Sequence, residues 1–173
     1  MTYIKKLILF STLFSTVFIS LQACAQDKSK RPSPPATVTT TTNSGVTIQI
    51  DYSQPAIKGR TIGIDIAPFG AIWRTGANEA TVFQVNKDVM IDGKALKAGK
   101  YSLYSIPGAN GWTIILNKSW NQWGTIYNQK DDVMRIQVKP MQHALTERMT
   151  FTINKSGEVA LLWGNIQVGF MVK

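Results

Sequence analysis

From Val46 onward, apolar and polar side chains alternate with a period of two. Val46, Ile48, Ile50 and Tyr52 stand against Thr47, Gln49 and Asp51. Ile62, Ile64 and Ile66 alternate with Gly63 and Asp65, and Tyr101, Leu103 and Ser105 lie opposite Ser102, Tyr104 and Ile106. This period puts one set of side chains on a core face and the other toward water, which is the signature of half-buried strands. Further runs of the same kind fall at 82–85, 89–91, 112–116, 124–127, 133–138, 149–153, 159–163 and 166–172. No long stretch carries a helical period, and residues 143–148 suffice for one helical turn at most.

The breaks between runs are turn chemistry. Asp92-Gly93 separates two short apolar runs and is a strong hairpin signal. Pro107-Gly108-Ala109-Asn110-Gly111, Asn154-Lys155-Ser156-Gly157 and Gly164-Asn165 supply residues suited to positive φ. Short strands at regular spacing predict an all-β chain, an antiparallel β-sandwich with jelly-roll-like wiring and nine or ten strands, forming a single domain over residues 46–173. Hydrophobic content of 44% is that of a globular chain.

The N-terminus reads differently. Lys5 and Lys6 precede an uncharged run of Leu, Ile, Phe and Val over residues 7–21, too short for a comfortable membrane span. Residues 1–23 are read as a secretory signal peptide. Leu21-Gln22-Ala23-Cys24 resembles a bacterial lipobox, so Cys24 is the candidate lipidation residue; alternatively, Ala23-Cys24-Ala25 is a small-x-small site cut before Gln26. Residues 24–45, with Arg31-Pro32-Ser33-Pro34-Pro35 and the Thr-rich stretch after it, are read as a tether. The alternative is that 36–42 adds an edge strand, because Thr and Val favour β structure. The expected location is the cell envelope, with lipid anchoring to a bacterial membrane through Cys24 or a soluble periplasmic or secreted state.

Three segments carry the chemistry-bearing residues. Trp73-Arg74-Thr75-Gly76-Ala77-Asn78-Glu79-Ala80-Thr81 offers a guanidinium fork, an amide and a carboxylate within a few residues, an inventory suited to a polar ligand. In the alternative reading Arg74 pairs internally with Glu79 or Asp51 and locks the loop. Trp120 and Trp123 bracket Asn121-Gln122, and flat rings beside amides suit sugar faces. Asp51-Tyr52-Ser53-Gln54-Pro55, followed by Lys58-Gly59-Arg60, is the third. The candidate binding residues are therefore Arg74, Asn78, Glu79, Asp51, Tyr52, Trp120 and Trp123.

Enzymatic parts are sparse. With one Cys and one His, Cys24 and His143, neither an intrachain disulfide nor a four-ligand Cys/His zinc site can be assembled. No Gly-x-Ser-x-Gly, calcium loop or phosphate-cradling glycine loop is present. No metal and no cofactor is expected. Glu79 and Asp51 are the best pair for carboxylate-dependent hydrolysis.

The run from Trp73 to Thr81, with Asp51-Tyr52-Ser53-Gln54-Pro55, Ile57-Lys58-Gly59-Arg60, Gly99-Lys100-Tyr101-Ser102-Leu103 and Gln122-Trp123-Gly124, closely resembles the domain of unknown function 2911 family. The resemblance covers the chain from about Arg31 to its end and implies export and a β domain. Members carry a Leu-Val-Pro run before the Trp-Arg-Thr-Gly run, where this chain has Ile66-Ala67-Pro68. The family brings no assigned reaction, ligand or catalytic residue.

Three functions remain open: a non-catalytic module binding a glycan or another polar ligand, a structural or accessory envelope lipoprotein with a protein partner, and a carboxylate-dependent hydrolase. The net charge of +9 does not point to nucleic acid. Loss of Lys5 and Lys6 lowers it to +7, and Lys28, Lys30 and Arg31 against Asp27 hold a further +2, leaving +5 scattered over 43–173. The basic tether is suited to anionic headgroups.

Overall fold

The computed structural model describes residues 27–173. The expected signal peptide, both cut sites and Cys24 lie outside the described residues. Ten strands form: β1 (Pro35–Thr41), β2 (Thr47–Ser53), β3 (Val82–Val85), β4 (Val89–Ile91), β5 (Lys94–Leu96), β6 (Gly99–Ile106), β7 (Trp112–Asn117), β8 (Asp132–Val138), β9 (Met141–Ile153) and β10 (Glu158–Met171).

One antiparallel sheet has the order β1-β2-β3-β6-β7-β8. Facing it is the long β9–β10 hairpin. The β4–β5 hairpin joins this second layer, since Met90 exchanges both backbone hydrogen bonds with Lys173 and Ile91 bridges to Val172. The expected β-sandwich is thus the architecture. Its wiring is simpler than jelly-roll-like: neighbours in the main sheet follow chain order, apart from the β4–β5 excursion. The reason is that even the two long connections, 54–81 and 118–131, return to the strand beside the one they left, so no strand crosses over as a Greek key requires.

Alternation explains the core. Ile48, Ile50, Phe83, Leu103, Ile114 and Leu116 from the main sheet meet Met149, Phe151, Val159, Leu161 and Phe170 from the second layer in one cluster. Removing side chains of this kind from water stabilises by roughly 1.5–3 kcal/mol each. Both faces of β6 and β7 are buried, because the 118–131 connection folds over the outer face. There Tyr104 donates to the Ile126 carbonyl and accepts from Gln122 Nε2 at 3.1 Å.

Several expectations are corrected. Residues 35–41 are a strand, not tether: Val38 pairs with Ile50 and Thr40 with Ile48, and Thr40 Oγ1 donates to the Ile153 carbonyl at 3.0 Å. Thr and Val there cover an otherwise open sheet edge. Residues 62–66 form a turn, with Gly63 N–H on the Ile66 carbonyl and Ile64 73% exposed, so the alternation has no partner strand. Residues 124–127 are likewise a loop. Residues 143–148 are extended within β9 rather than helical. Gly164-Asn165 does not end a strand. Gly164, at φ 62°, is instead a bulge that keeps β10 continuous past two register shifts.

Candidate functional site

The segment 73–81 runs in line with β3 and extends its pairing along β6. Trp73 exchanges backbone hydrogen bonds with Ser105, and the Thr81 carbonyl accepts from Leu103 N–H at 2.7 Å. Between those two points, residues 74–80 loop out of the strand line. The loop is closed from within. Thr81 Oγ1 donates to the Thr75 carbonyl at 2.8 Å, and Thr75 Oγ1 donates to Ser105 Oγ at 3.0 Å, both buried. Gly76 is required there, because a Cβ would stand 2.7 Å from Thr81 Oγ1. Thr75 and Asn78 hold φ of 49° and 60°; Asn enters this region readily, but for the β-branched Thr75 it costs about 1 kcal/mol or more.

The loop is zipped to the 122–124 segment. Ala80 N–H donates to the Gln122 carbonyl, and Gly124 N–H to the Asn78 carbonyl at 3.0 Å. Arg74 packs on Gly124 and gives one N–H, from Nε, to the Gly76 carbonyl at 3.4 Å. It pairs with neither Glu79 nor Asp51, so the self-locked reading of Arg74 does not hold.

Beside Arg74 opens a cleft of about 440 Å³, bordered also by Arg60, Trp73, Ala67, Tyr127 and Trp163. That volume lies within the range of small-molecule sites, roughly 300–1,000 Å³. Trp73 and Trp163 stack at 5.2 Å between centroids with planes 9° apart, and Trp73 meets Trp112 edge to face at 6.1 Å. The buried Trp163 Nε1 has no hydrogen-bond partner. Arg60 is fixed by Nε on the Ile57 carbonyl at 2.9 Å and by Nη2 on the Ala56 carbonyl at 2.6 Å.

At the rim, Tyr127 Oη donates to Asp132 Oδ2 at 2.7 Å and accepts from Arg135 Nη2 at 2.7 Å. Burial, reinforced by the Asp132 carboxylate, pushes the Tyr127 phenol up to about 12.

The other expected residues lie elsewhere. Asn78 Nδ2 donates to the Ser33 carbonyl at 3.0 Å and to Ser53 Oγ at 3.3 Å, tying the N-terminal segment to β2. Both Glu79 carboxylate oxygens accept from Arg31 Nη1 at 3.0 Å, and Oε1 also accepts from Lys28 Nζ at 2.9 Å. Two basic residues assigned to the tether therefore fold back onto the domain. Burial raises the Glu79 carboxyl, but Lys28, its own backbone N–H and Arg31 outweigh this and hold it down to about 2. Asp51 accepts from Thr37 Oγ1 at 2.7 Å and Gln49 Nε2 at 2.9 Å across the β1–β2 surface.

Tyr52 is core: its Oη accepts from Phe151 N–H at 3.1 Å, and its ring meets Phe151 edge to face. Asp51, Tyr52 and Glu79 border a second groove, which Lys28 also lines. Trp123 is 46% exposed and bridged to Glu79 through the backbone, while Trp120 lies beneath Lys100 Nζ at 4.9 Å. Neither borders the Arg74 cleft.

Of the expected residues, then, only Arg74 faces the cleft. Arg60, Trp73, Tyr127 and Trp163 were not foreseen as its walls. Arg60 stood within a segment already singled out, but no spacing joins it to Arg74. Among the described residues no group of three His, Cys, Asp or Glu is placed to hold a metal ion, and no helix is long and apolar enough to cross a membrane.

Fold and site together define a two-layer antiparallel β-sandwich with a cleft bordered by two arginines and by aromatic side chains. The chain matches the family model described as Protein of unknown function (DUF2911) over residues 33–172, and it belongs to that family. The match starts two residues before β1, in keeping with that strand being part of the domain. No curated protein and no solved structure matches it.

Proposed function

We propose that this chain is an exported envelope module that binds a small polar ligand, a glycan or a molecule of similar chemistry, without transforming it. The observation that carries this reading is the cleft beside Arg74, where an oriented guanidinium borders open space walled in part by the rings of Trp73 and Tyr127. Aromatic faces with a few fixed donors are the usual means of holding a sugar ring. The strained backbone at Thr75 supports a role at this point, since such a conformation of a β-branched residue is maintained only where its surroundings enforce it.

Export rests on the basic, apolar, then small-residue order of residues 1–25, and anchoring on the single Cys at Cys24. Arg31 and Lys28 on Glu79 hold the residues just after that anchor against the domain, so a lipid at Cys24 would keep the sandwich close to the membrane.

Hydrolysis through Glu79 and Asp51 draws less support. A carboxyl held to about 2 by two cations is a poor proton donor near neutral pH.

A glycan and metabolite screen on wild type and Arg74→Ala, with melting curves for both, tests the reading. Ligands retained by wild type and lost by the variant at equal stability support it. Equal binding by both removes the site. Mass spectrometry of the mature N-terminus tests the anchor: a free Gln26 excludes it.

A further inference from the structure

We infer that the cleft selects an anionic ligand, a sugar bearing a carboxylate or a phosphate, held between Arg60 and Arg74. This rests on the reading of the cleft as a ligand site and specifies what that site takes.

The first argument is charge. Two arginines border the cleft and no Asp or Glu does. Neither Arg60 nor Arg74 is in an ion pair among the described residues, whereas Arg31 and Arg135 are each matched to a carboxylate, Glu79 and Asp132. The Asp132 carboxylate behind Tyr127 is cancelled by Arg135 at 2.7 Å, so it does not offset the two guanidiniums. The side chains that line the cleft thus carry net positive charge.

The second is orientation. A guanidinium carries five N–H donors in a planar fork. Arg74 gives one of them to a backbone carbonyl and Arg60 gives two, to neighbouring carbonyls. Carbonyls fix the direction of a fork without neutralising it. Most of both forks is left for a ligand, and planar bidentate recognition of carboxylate or phosphate is what arginine does best.

The third is the remaining wall. The Tyr127 hydroxyl is already committed to Asp132 and Arg135, so the residue offers its ring rather than a donor. Trp73, half-buried, contributes further ring surface, with the buried Trp163 stacked behind it. A small inorganic anion would leave that surface and most of the 440 Å³ unused. A ring with an acidic substituent uses both halves of the site.

The test is titration calorimetry on the mature protein with three probes: digalacturonate, its dimethyl ester, and glucose 6-phosphate. Variants are Arg60→Gln and Arg74→Gln, each checked by its melting curve, so that Arg60→Gln decides if Arg74→Gln does not fold. The expected result is at least tenfold tighter binding of one acidic probe than of the ester, a tenfold or greater loss in each folded variant, and weakening with salt. Which acidic probe binds tells carboxylate from phosphate.

An ester that binds as well as its acid, and still depends on Arg74, overturns the anion inference while leaving the cleft as a site. Acidic probes that bind equally to wild type and both variants overturn the inference and the site together. Failure of both acidic probes to bind wild type overturns the inference.

Discussion

Gly124 lies directly against Arg74: a Cβ placed on Gly124 would stand 2.5 Å from Arg74 Cδ and 2.8 Å from the Asn78 carbonyl oxygen. The arginine takes its place over the cleft only because its neighbour has no side chain. Gly124→Ala is therefore expected to destabilise by about 1–3 kcal/mol, the usual cost of forcing extra volume into a packed site. It should also weaken any ligand that Arg74→Ala weakens. Urea unfolding checks the first effect and the binding screen the second; an unchanged midpoint would mean that the loop yields freely.

Tyr52→Phe removes the hydroxyl that accepts Phe151 N–H at 3.1 Å across the sandwich. The ring can stay in its edge-to-face contact at 5.0 Å, so the loss isolates one hydrogen bond. A buried N–H left without a partner costs about 1–3 kcal/mol. Equilibrium unfolding should show that decrease with no change in denaturant slope, and a loss near zero would place water at the vacated position.

Glu79 links the 28–31 segment to the loop through ion pairs. Its carboxyl is held to about 2 against an ordinary 4.5, so its contribution is complete above pH 4.5 and is lost as pH falls from 4.5 toward 2. An acid titration followed by the NMR shift of the Glu79 side-chain carbon should show a midpoint near 2. A midpoint near 4.5 would mean that Lys28 and Arg31 leave it in solution. Glu79→Gln should speed tryptic cleavage after Lys28 and Lys30 while changing global stability by less than about 1 kcal/mol, because the pairs are partly exposed.

In the β4–β5 turn, Asp92 and Gly93 hold φ of 46° and 78°, as a two-residue hairpin with strand-matching twist requires. Nothing lies within 4 Å of a Cβ at Gly93, so Gly93→Ala is a purely conformational change, expected to cost about 1 kcal/mol. Gly111→Ala, where φ is not positive and the nearest atom is 4.0 Å away, should be nearly neutral. Thermal melts of the two variants side by side separate backbone strain from loss of a glycine as such.

Some of this was legible from the chain. Val46 to Tyr52 alternate because β2 has a wet face and a dry one, and Asp92-Gly93 turns because of its own backbone preference. Where the local signal was ambiguous, the partner decided. Residues 62–66 alternate like a strand but find no neighbour to pair with. The Thr-rich residues 36–41 look like spacer but meet the open edge of β2, whose unpaired N–H and C=O groups recruit them.

The sequence by itself determined the β class, the turns and the polar loop at 73–81, because alternation and turn chemistry are properties of neighbouring residues. Only the tertiary structure decided that Arg74 faces a cleft with Arg60 and the Trp73–Trp163 stack, while Glu79 turns away to Arg31 and Lys28. Those meetings join residues far apart in the chain. They depend on strand register, on a glycine at 124 that lets one loop lie on another, and on which carboxylate each guanidinium can reach.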